Sequence, residues 1–389
     1  MSPQRAALAM KLGLMDQPIV AEILDPLLEA RRALVEATGA PMVVRSSALV
    51  EDRFGSSFAG QFESYLGLET EAEFVTAVRS CWAALWSTRV LRYIATQGDR
   101  AHPASSCDLS PSKLAMAVLV QPLISARVAG GGLSRERHPR VGGDPGPDSR
   151  LHRNDVMVIN ATWGLGASIA QGEVVPERIV IDCDGAVRGG TVGRRFHSVA
   201  CAHGKQSARR ALFSEPCLDT GQAEELGRLL RKTEEVMGMP VEIEWAHDAA
   251  GFKLLQARPL PTIKGSDSNF RKTSRRRHGI RESDPFIAGH PAGVGWGTGR
   301  ACVVSCECEL SRVAPGDILV TKVAGPALGP VLAHVAGVVA ELGGSTSHLA
   351  SLARERGIPM VLGALDATQR IPEGAQVAVD GVAGVVRWS

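Results

Sequence analysis

The chain has 389 residues, of which 44% are hydrophobic and 22% are charged, and its formal net charge is +2. This composition is typical of a globular protein of roughly two or three domains. A net charge near zero gives no support for nucleic-acid or anionic-membrane binding. No apolar run approaches the roughly 20 residues that span a bilayer, and the N-terminus lacks the apolar core of a secretory signal. We therefore expect a cytoplasmic protein with no nucleic acid and no membrane as partners.

The pattern of the first 260 residues mixes amphipathic helices with short apolar strands. Helical spacing predicts helices over 22–38, 71–98 and 217–238, the last ending at Gly238. Apolar runs predict strands over 41–47 and 113–124, and residues 155–182 predict strand, glycine turn, short helix and strand. The segment 240–260 predicts a hairpin around an "HDAAG" turn. Residues 130–150, rich in glycine and proline, are interpreted as an irregular surface excursion.

The segment 261–286 differs in composition from the rest of the chain. It is basic, polar and poor in aliphatic residues, so we expect a flexible linker between domains of residues 1–260 and 287–389. After it, the pattern predicts a small α/β unit. The predicted strands lie within 316–322, 336–342, 359–363, 375–381 and 384–389, and the predicted helices are 327–335 and 346–357.

Eight cysteines are present, and a chain of this length does not need disulfides to hold its core. We therefore expect most thiols to stay reduced. The cluster Cys302, Cys306 and Cys308 offers a possible metal site, but the apolar alternation before Cys306 is typical of a strand. No second Cys or His pair follows at zinc spacing, which favours structural or incidental thiols.

The predicted hairpin concentrates polar side chains on one face. Glu242 and Glu244 alternate with apolar residues, so both carboxylates point the same way, and Gln256 and Arg258 do the same on the returning strand. Acidic and amide oxygens suit Mg²⁺, and arginine binds phosphate in a bidentate manner. The residues equally allow a solvent-facing strand with incidental charge pairs.

Other segments favour an anionic ligand. Arg45 ends a buried strand, where a charge is costly unless it meets an anion. The stretch "SSFAGQF", with Ser57 and Gly60, is suited to a loop over phosphates, and Gly164 and Gly166 allow close approach of the main chain to a ligand. Neither a P-loop nor a convincing Rossmann fingerprint is present, so a nucleotide would need another scaffold.

His348 follows two glycines and a Ser-Thr-Ser run at the start of a predicted helix. By itself this pattern is compatible with a packed histidine in a helix capped by Ser345 or Ser347. The surrounding motifs decide whether this interpretation holds.

The ordered motifs resemble the phosphoenolpyruvate synthase and pyruvate phosphate dikinase family, and rifampicin phosphotransferases are similar. The motifs that carry the resemblance to the nucleotide-binding domain are "VVRSSALVEDRFGSSFAGQFESYL", "CWAALWSTRVLRY", "MAVLVQPLI", "GLGASIAQGEVVPERIVID" and "VEIEWAHDAAGFKLLQARPL". "PGDILVT", "ELGGSTSHLASLARERGIPMVLG" and "VDGVAGVV" resemble the phosphohistidine domain. The resemblance implies an α/β (α+β) fold, with an ATP-grasp domain followed by a small swivelling phosphohistidine β/α domain.

The resemblance also implies roles for individual residues. His348 would accept a phosphoryl group from ATP, with Thr346 and Ser347 bonding its oxygens. Arg45 and Arg258 would hold the ATP phosphates, and Glu244 and Gln256 would bind Mg²⁺, with Glu242 as an additional acid at the metal or the ribose. "VLVQPL" would line the adenine, and the lining residues we name there are Gln121 and Leu123.

Two departures from the family pattern shape the functional hypotheses. The family's N-terminal lysine segment is not found at the start of this sequence, so we expect either that the N-terminal part of the ATP-grasp fold is trimmed, or that Lys11 or a partner chain supplies the charge. No segment has the length of the usual acceptor-substrate domain. The leading hypothesis is a dikinase-like phosphotransferase that uses ATP and Mg²⁺, releases AMP and phosphate, and serves an unidentified small-molecule acceptor. The alternatives are one subunit of a split dikinase, or a non-catalytic nucleotide-binding regulatory module.

Overall fold

The computed structural model describes residues 3–49, 62, 64–88, 90–91, 115–137, 155–182, 184–196, 210–211, 215–260, 280–281 and 283–389. Its contacts divide the chain into two compact units, Met1–Ser125 and Ala126–Ser389. The predicted domain limits at residues 260 and 287 both lie in the second unit, and they stay a prediction. In the described part of the chain, no helix is long and apolar enough to cross a membrane.

The first unit packs helices on one face of a small antiparallel sheet with strand order β2-β1-β3. Its elements are α1 (Pro3–Asp16), α2 (Ala21–Thr38), β1 (Met42–Ala48), β2 (Ser64–Leu68), α3 (Glu71–Ala84) and β3 (Met116–Pro122). Met42 and Val44 of β1 are buried with Phe74 and Val78 of α3. Because side chains alternate along a strand, Val43 and Arg45 point to the opposite face.

The second unit begins with what we call the central sheet, whose strand order is β12-β11-β4-β5-β7-β8. Its strands are β4 (Val128–Arg137), β5 (Asp155–Trp163), β7 (Glu177–Ile181), β8 (Val187–Thr191), β11 (Val241–Asp248) and β12 (Gly251–Pro259). A second small sheet joins β6 (Val174–Val175), β9 (Arg194–Phe196) and β10 (Arg210–Ala211). The helices of this part are α4 (Ala167–Ala170) and α5 (Thr220–Met237).

Helix α5 covers one face of the central sheet. Leu226 and Leu230 of the helix are fully buried against Ile159, Ile243 and Trp245 of the strands. Side chains one position away along β5 and β11 therefore project from the other face. The predicted strands, the helix and the hairpin of this region are confirmed, including a turn closed by the pair Asp248 and Gly251.

The interpretation of residues 130–150 as an irregular excursion is wrong for its first part. Residues 130–137 form most of β4, in the middle of the central sheet, whereas 138–150 lie outside the described residues. Glycine is required because neighbours approach the backbone closely. A Cβ on Gly130 would lie 1.9 Å from the carbonyl oxygen of Asn160, and one on Gly131 would lie 2.6 Å from Thr346 Cβ. Glycine in a strand marks such a close approach.

Residues 283–389, which we call the C-terminal domain, form a sheet with strand order β13-β20-β19-β15-β16-β17-β18-β14. Its strands are β13 (Phe286–Ala288), β14 (His290–Pro291), β15 (Trp296–Val304), β16 (Ile318–Thr321), β17 (Gly337–Ala340), β18 (Met360–Leu362), β19 (Gln376–Asp380) and β20 (Val385–Trp388). Its helices are α6 (His348–Arg356) and α7 (Ala367–Arg370). Strands β15 to β18 pair in parallel. The two ends of the strand order are separated only by Gly289, so one short segment pairs with both edges.

Two observations bear on the expectations for the C-terminal part. The helix predicted over 327–335 is wrong: Gly329 and Pro330 separate two short 3₁₀ helices, Pro326–Leu328 and Val331–Ala333. Within the predicted linker, Ile280 is buried beside Trp296 and Ala378.

Two thiols of the cysteine cluster, expected to be structural or incidental, are joined. Cys306 and Cys308 form a disulfide, whereas the other described cysteines, Cys81, Cys217 and Cys302, form none. Cys302 lies in β15, which confirms the strand predicted from the apolar alternation before Cys306.

The N-terminus of α5 gives a stability prediction. Asp219 caps the helix by accepting from Gln222 N at 2.8 Å, and the Gln222 side chain accepts from Asp219 N at 3.0 Å. Asp219→Ala removes the first bond, so we expect the free energy of unfolding to fall by about 1 kcal/mol. Urea denaturation measures the loss. Glu225→Ala on the exposed side of α5 is the control, and equal midpoints for both variants would contradict the capping role.

Candidate active site

The predicted hairpin places its polar side chains opposite one another on the face of the central sheet that α5 leaves uncovered. Strands β11 and β12 pair Glu242 with Arg258 and Glu244 with Gln256. Directly paired residues of antiparallel strands share a face. On the other side of β11, Glu244 pairs with Gly131 of β4, and Gly131 pairs with Asn160 of β5. The strands thus bring Gln256, Glu244 and Asn160 into one row across the sheet.

Glu242 is the centre of a buried polar network that joins the C-terminal domain to the central sheet. Its Oε1 lies 3.1 Å from Arg258 Nη2, and its Oε2 accepts from Arg354 Nη2 at 2.9 Å. Ser351 accepts from Arg258 Nη2 at 2.8 Å and from Arg354 Nη2 at 3.0 Å. Its hydroxyl lies 3.0 Å and 2.9 Å from the two Glu242 oxygens and can donate to one of them. Ser351 and Arg354 belong to α6, so the helix that begins at His348 is fixed to β11 and β12.

The two arginines keep Glu242 charged despite its burial. Burial alone raises the pKa of a carboxyl group, but the positive charges of Arg258 and Arg354 outweigh it and bring the pKa of Glu242 to about 2. Glu242 is only 3% exposed. Its oxygens are thus engaged by α6 and Arg258 in this arrangement, and a role as a metal or ribose ligand remains a prediction.

Residues 345–347, which we call the hydroxyl loop, lie directly on the central sheet. Asn160 Nδ2 donates to Ser345 Oγ at 2.8 Å and to Thr346 Oγ1 at 3.0 Å. Asn160 and Ser345 are both completely buried. Arg354 Nη1 donates to the carbonyl oxygen of Ser345. The loop is therefore bonded on one side to the sheet and on the other to its own helix.

Glycines allow this contact to be close. A Cβ on Gly131 would lie 2.7 Å from Thr346 Oγ1, and a Cβ on Gly344 would lie 2.4 Å from Pro176 Cγ. Gly343 N donates to Val174 O at 2.9 Å, and Gly343 has a φ of 102°, which glycine adopts most readily. Gly343 and Gly344 thus closely approach the segment between α4 and β7.

His348 is the first residue of α6, as the sequence pattern indicates. Ser347 caps the helix by accepting from Ala350 N at 3.3 Å, and the helix ends at Gly357 with a φ of 69°. The His348 side chain is half-buried. Along the chain it lies between Thr346, which packs on Gly131, and Ser351, which bonds Glu242 and Arg258. The amides of the first helical turn favour negative charge at this end.

The predicted glycine turn also lies beside β4. Gly164 has a φ of 80° and donates its N–H to Arg127 O at 2.8 Å. A Cβ on Gly166 would lie 3.6 Å from Ala129 Cβ and 3.7 Å from Gly130 N. This turn therefore meets the same strand as the hydroxyl loop. The other predicted phosphate loop, with Ser57 and Gly60, lies outside the described residues.

The remaining predicted ligands belong to the first unit. Arg45 pairs with Leu119 and Val43 pairs with Gln121, so Arg45 and Gln121 lie on one face of the sheet, opposite the helical core. Leu123 follows β3 and donates its N–H to Pro41 O at 2.8 Å.

Lys11, considered in the sequence analysis as a source of positive charge for the nucleotide, lies on α1 with an exposed side chain. Its role as a source of positive charge stays a prediction.

The donor set on the hairpin fits Mg²⁺ that also binds phosphate. Glu244 and Gln256 are half-buried neighbours that present oxygen ligands. Among the residues that the structure describes, no group of three or more His, Cys, Asp or Glu side chains could hold a metal ion. Mg²⁺ commonly uses one or two protein ligands together with phosphate oxygens. A metal at this pair would therefore take its other ligands from a nucleotide and from water.

Sequence reasoning missed Asn160, Ser351 and Arg354. Asn160 had a detectable signal, because a polar side chain in the apolar strand "DVMVINATW" needs a hydrogen-bond partner when buried. Ser351 and Arg354 follow Ser347 at helical spacing and share its side of α6. From the sequence alone, Arg354 is explained as a basic residue that interacts with the C-terminal end of its own helix. Their partner Glu242 lies more than 100 residues earlier.

The Glu242 network gives a prediction on stability and pH. Glu242→Gln leaves two guanidinium groups buried without their anion, so we expect the free energy of unfolding to fall by about 3–5 kcal/mol at pH 7. Because the pKa of Glu242 is lowered in the folded state, its contribution is complete above the ordinary pKa of 4.5 and is lost as pH falls toward 2. Urea denaturation between pH 2 and pH 8 measures both effects.

Glu225→Gln, an exposed position on α5, is the matched control for removal of a carboxylate. At pH 7 the control should be as stable as the unmodified protein. Below pH 4.5 the control should lose as much stability as the unmodified protein does. Equal stability of the two variants would show that the buried ion pairs do not support the contact between α6 and the central sheet.

Comparison with known families covers most of the chain. Residues 4–278 match the family described as pyruvate phosphate dikinase, AMP/ATP-binding domain, and residues 313–384 match the PEP-utilising enzyme, mobile domain. The central sheet and the first unit thus fall in the first match, and His348 falls in the second.

Curated relatives agree with these matches. The chain is 31% identical to the probable phosphoenolpyruvate synthase of Pyrococcus abyssi over 388 residues, covering 96% of this chain and 44% of that protein. It is 31% identical to the phosphoenolpyruvate synthase of Pyrococcus furiosus, with coverage of 96% and 44%, and 29% identical to that of Escherichia coli, with coverage of 98% and 47%. The chain spans less than half the length of these relatives. The resemblance stated from the motifs is confirmed, and the chain belongs to the phosphoenolpyruvate synthase and pyruvate phosphate dikinase family.

Proposed function

We propose that this protein is an ATP-dependent phosphotransferase in which His348 accepts a phosphoryl group from ATP and passes it to a small-molecule acceptor. In this proposal residues 1–260 form an ATP-grasp nucleotide-binding domain, and the C-terminal domain is the swivelling carrier. The observation that carries the proposal is the seating of the hydroxyl loop on the central sheet, where Thr346 packs on Gly131 beside Glu244. This arrangement joins the carrier to the strands that bear the predicted ATP ligands.

The proposed chemistry is nucleophilic attack of an imidazole nitrogen on phosphorus. A neutral imidazole has a free lone pair near pH 7, and the new N–P bond replaces a phosphoanhydride bond to oxygen. Release of AMP means that both phosphoanhydride bonds break: one phosphoryl group stays on His348, and water takes the other as phosphate. The first turn of α6 and the hydroxyls of Thr346 and Ser347 would stabilise the negative charge on the ring.

The remaining predicted residues would bind the nucleotide. Glu244 and Gln256 would hold Mg²⁺, which neutralises phosphate charge and orients the transferred group. Arg45 and Arg258 would bind phosphate oxygens.

Arg258 is engaged by Glu242 and Ser351 when α6 lies on the sheet. A phosphate that binds Arg258 would therefore enter a site that is already positively charged and oriented.

We place the acceptor site outside the aligned region. The relatives are named phosphoenolpyruvate synthases, and more than half of the length of the Pyrococcus proteins lies beyond their alignment with this chain. An additional segment of that kind, present in a partner subunit or elsewhere in the same protein, would bind the acceptor. The C-terminal domain would then carry phosphate between two sites, as mobile domains of carrier enzymes do.

The first test asks whether His348 is phosphorylated. After incubation with Mg·ATP, intact-protein mass spectrometry should show one phosphoryl adduct that is labile to acid and stable to base, with AMP and phosphate in the supernatant. His348→Ala should abolish the adduct and keep nucleotide binding, because the nucleophile is lost while the ATP ligands remain.

His334→Ala is the matched control, since His334 is an exposed histidine of the same domain. It should be phosphorylated like the unmodified protein. An adduct that persists in His348→Ala would refute the proposed mechanism. Bound ATP with no adduct in the unmodified protein would instead favour a regulatory nucleotide-binding protein.

The second test asks whether the seating of the hydroxyl loop is needed. Gly131→Ala places a methyl group 2.6 Å from Thr346 Cβ, so the loop must shift away from the central sheet. We expect the rate of His348 phosphorylation by ATP to fall at least about tenfold, because small displacements of reacting groups are costly. Rapid-quench kinetics with labelled ATP measures the rate.

Gly189→Ala in β8 of the same sheet is the control, because a Cβ at Gly189 meets nothing within 4 Å. It should react at the rate of the unmodified protein. If Gly131→Ala reacts as fast as Gly189→Ala, the contact seen here is not the arrangement in which phosphoryl transfer occurs.

A further inference from the structure

Asn160 is an unusual residue for its position. It lies in the middle of β5, between apolar neighbours, and its side chain is completely buried. A buried amide is costly unless its hydrogen-bonding groups are satisfied. Its Nδ2 is satisfied by Ser345 and Thr346, at 2.8 Å and 3.0 Å. Its Oδ1 has no hydrogen-bond partner among the described residues. The amide is thus directed at the hydroxyl loop and at nothing else that the structure describes.

The chemistry of the amide fixes the direction of both hydrogen bonds. An amide N–H can only donate, so the hydroxyl oxygens of Ser345 and Thr346 must both accept. Each hydroxyl then keeps its own hydrogen for another acceptor. A phosphoryl group has three strongly accepting oxygens, and hydroxyl donors two and three residues before His348 are suited to bind them.

The backbone of the loop is held by other residues. Gly343 N donates to Val174 O at 2.9 Å, Arg354 bonds the Ser345 carbonyl, and Ser347 N donates to Gly344 O at 3.0 Å. These contacts fix the path of the chain but not the rotation of the Ser345 and Thr346 side chains. Asn160 supplies that remaining restraint from outside the C-terminal domain. The restraint therefore exists only while the domain lies on the central sheet.

We infer that Asn160 is a positioning residue for phosphoryl transfer from ATP: it orients the Ser345 and Thr346 hydroxyls as donors toward the phosphoryl group that His348 receives. The inference rests on the proposed function, which it deepens by assigning a role to a residue of the nucleotide-binding part. Since the restraint is lost when the domain leaves the sheet, Asn160 acts on the reaction with ATP and not on later transfer to the acceptor.

The kinetic test compares Asn160→Ala and Asn160→Asp with the unmodified protein. Both variants should lower the rate constant of His348 phosphorylation about 10- to 100-fold at saturating Mg·ATP, because the hydroxyls are no longer held as donors. The ATP concentration that gives half the maximal rate should change less than about twofold. Asn160→Asp is informative because aspartate has the size of asparagine, but its carboxylate only accepts hydrogen bonds. If Asn160 only filled space, Asn160→Asp would be phosphorylated at His348 at the rate of the unmodified protein.

Two controls separate positioning from general damage to the fold. Thr162→Val changes a buried polar residue on the same face of β5 and should keep the rate of the unmodified protein. In a protein that already carries Ser345→Ala and Thr346→Val, the further change Asn160→Ala should cause no additional loss. Additive losses would overturn the inference, since they would show that Asn160 acts independently of the hydroxyls.

Hydrogen exchange tests the contact without requiring activity. Amide exchange of residues 343–350, followed by mass spectrometry in the full chain, should be faster in Asn160→Ala and unchanged in Thr162→Val. Equal exchange in Asn160→Ala and the unmodified protein would overturn the assignment of Asn160. Absence of any phosphoryl adduct in the unmodified protein would instead overturn the proposed function, so the two failures are distinguishable.

Discussion

One buried carboxylate, Glu242, determines how the C-terminal domain meets the central sheet. Arg258 reaches it from the neighbouring strand and Arg354 reaches it from α6, so each side of the contact contributes a cation. Removing charges from water is costly. The attraction within a buried ion pair offsets that cost only when the two groups are well aligned and hydrogen-bonded. The network therefore favours one orientation of α6 over other orientations that would bury a similar apolar surface area. The positions of His348 and of the hydroxyl loop before it depend on that orientation, because α6 begins at His348.

The second element of the contact is the absence of side chains where the two surfaces meet. Gly131 on the sheet and Gly344 before the hydroxyl loop leave room for Thr346 and Pro176, respectively. Close packing of backbone and small hydroxyl side chains brings the loop to the row that contains Glu244 and Gln256. A bulky apolar interface would have kept the loop farther from these ligands. Charge sets the orientation of the helix, and glycine sets its distance from the sheet.

Local sequence signals predicted most of the secondary structure and the placement of several candidate site residues on it. The alternation of Glu242 and Glu244, the return of Gln256 and Arg258, and the start of α6 at His348 all follow from periodicity and capping. The interpretation of the segment around Gly130 and Gly131 as a loop was wrong, because these glycines make room for Asn160 and Thr346, which are distant in sequence. Ser351 and Arg354 were missed for the same reason. Pairs separated by more than 100 residues leave no periodic trace in either segment.

In the C-terminal domain the sheet curves back so that its two ends meet in one short segment. This closure affects how much of the strand edges the domain exposes to solvent. Throughout residues 283–389, all of which the structure describes, the ends of the strand order are β13 and β14, and Gly289 alone separates them. Gly289 N donates to Gly384 O at 2.9 Å, and a Cβ there would lie 2.4 Å from Leu362 O, so the segment crosses tightly from β20 to β18. Unpaired strand edges are a common cause of aggregation. Under the proposed function, a carrier domain built this way would leave the central sheet as a rigid body, with the two edges of its sheet joined through residues 286–291 and not open to intermolecular β-pairing.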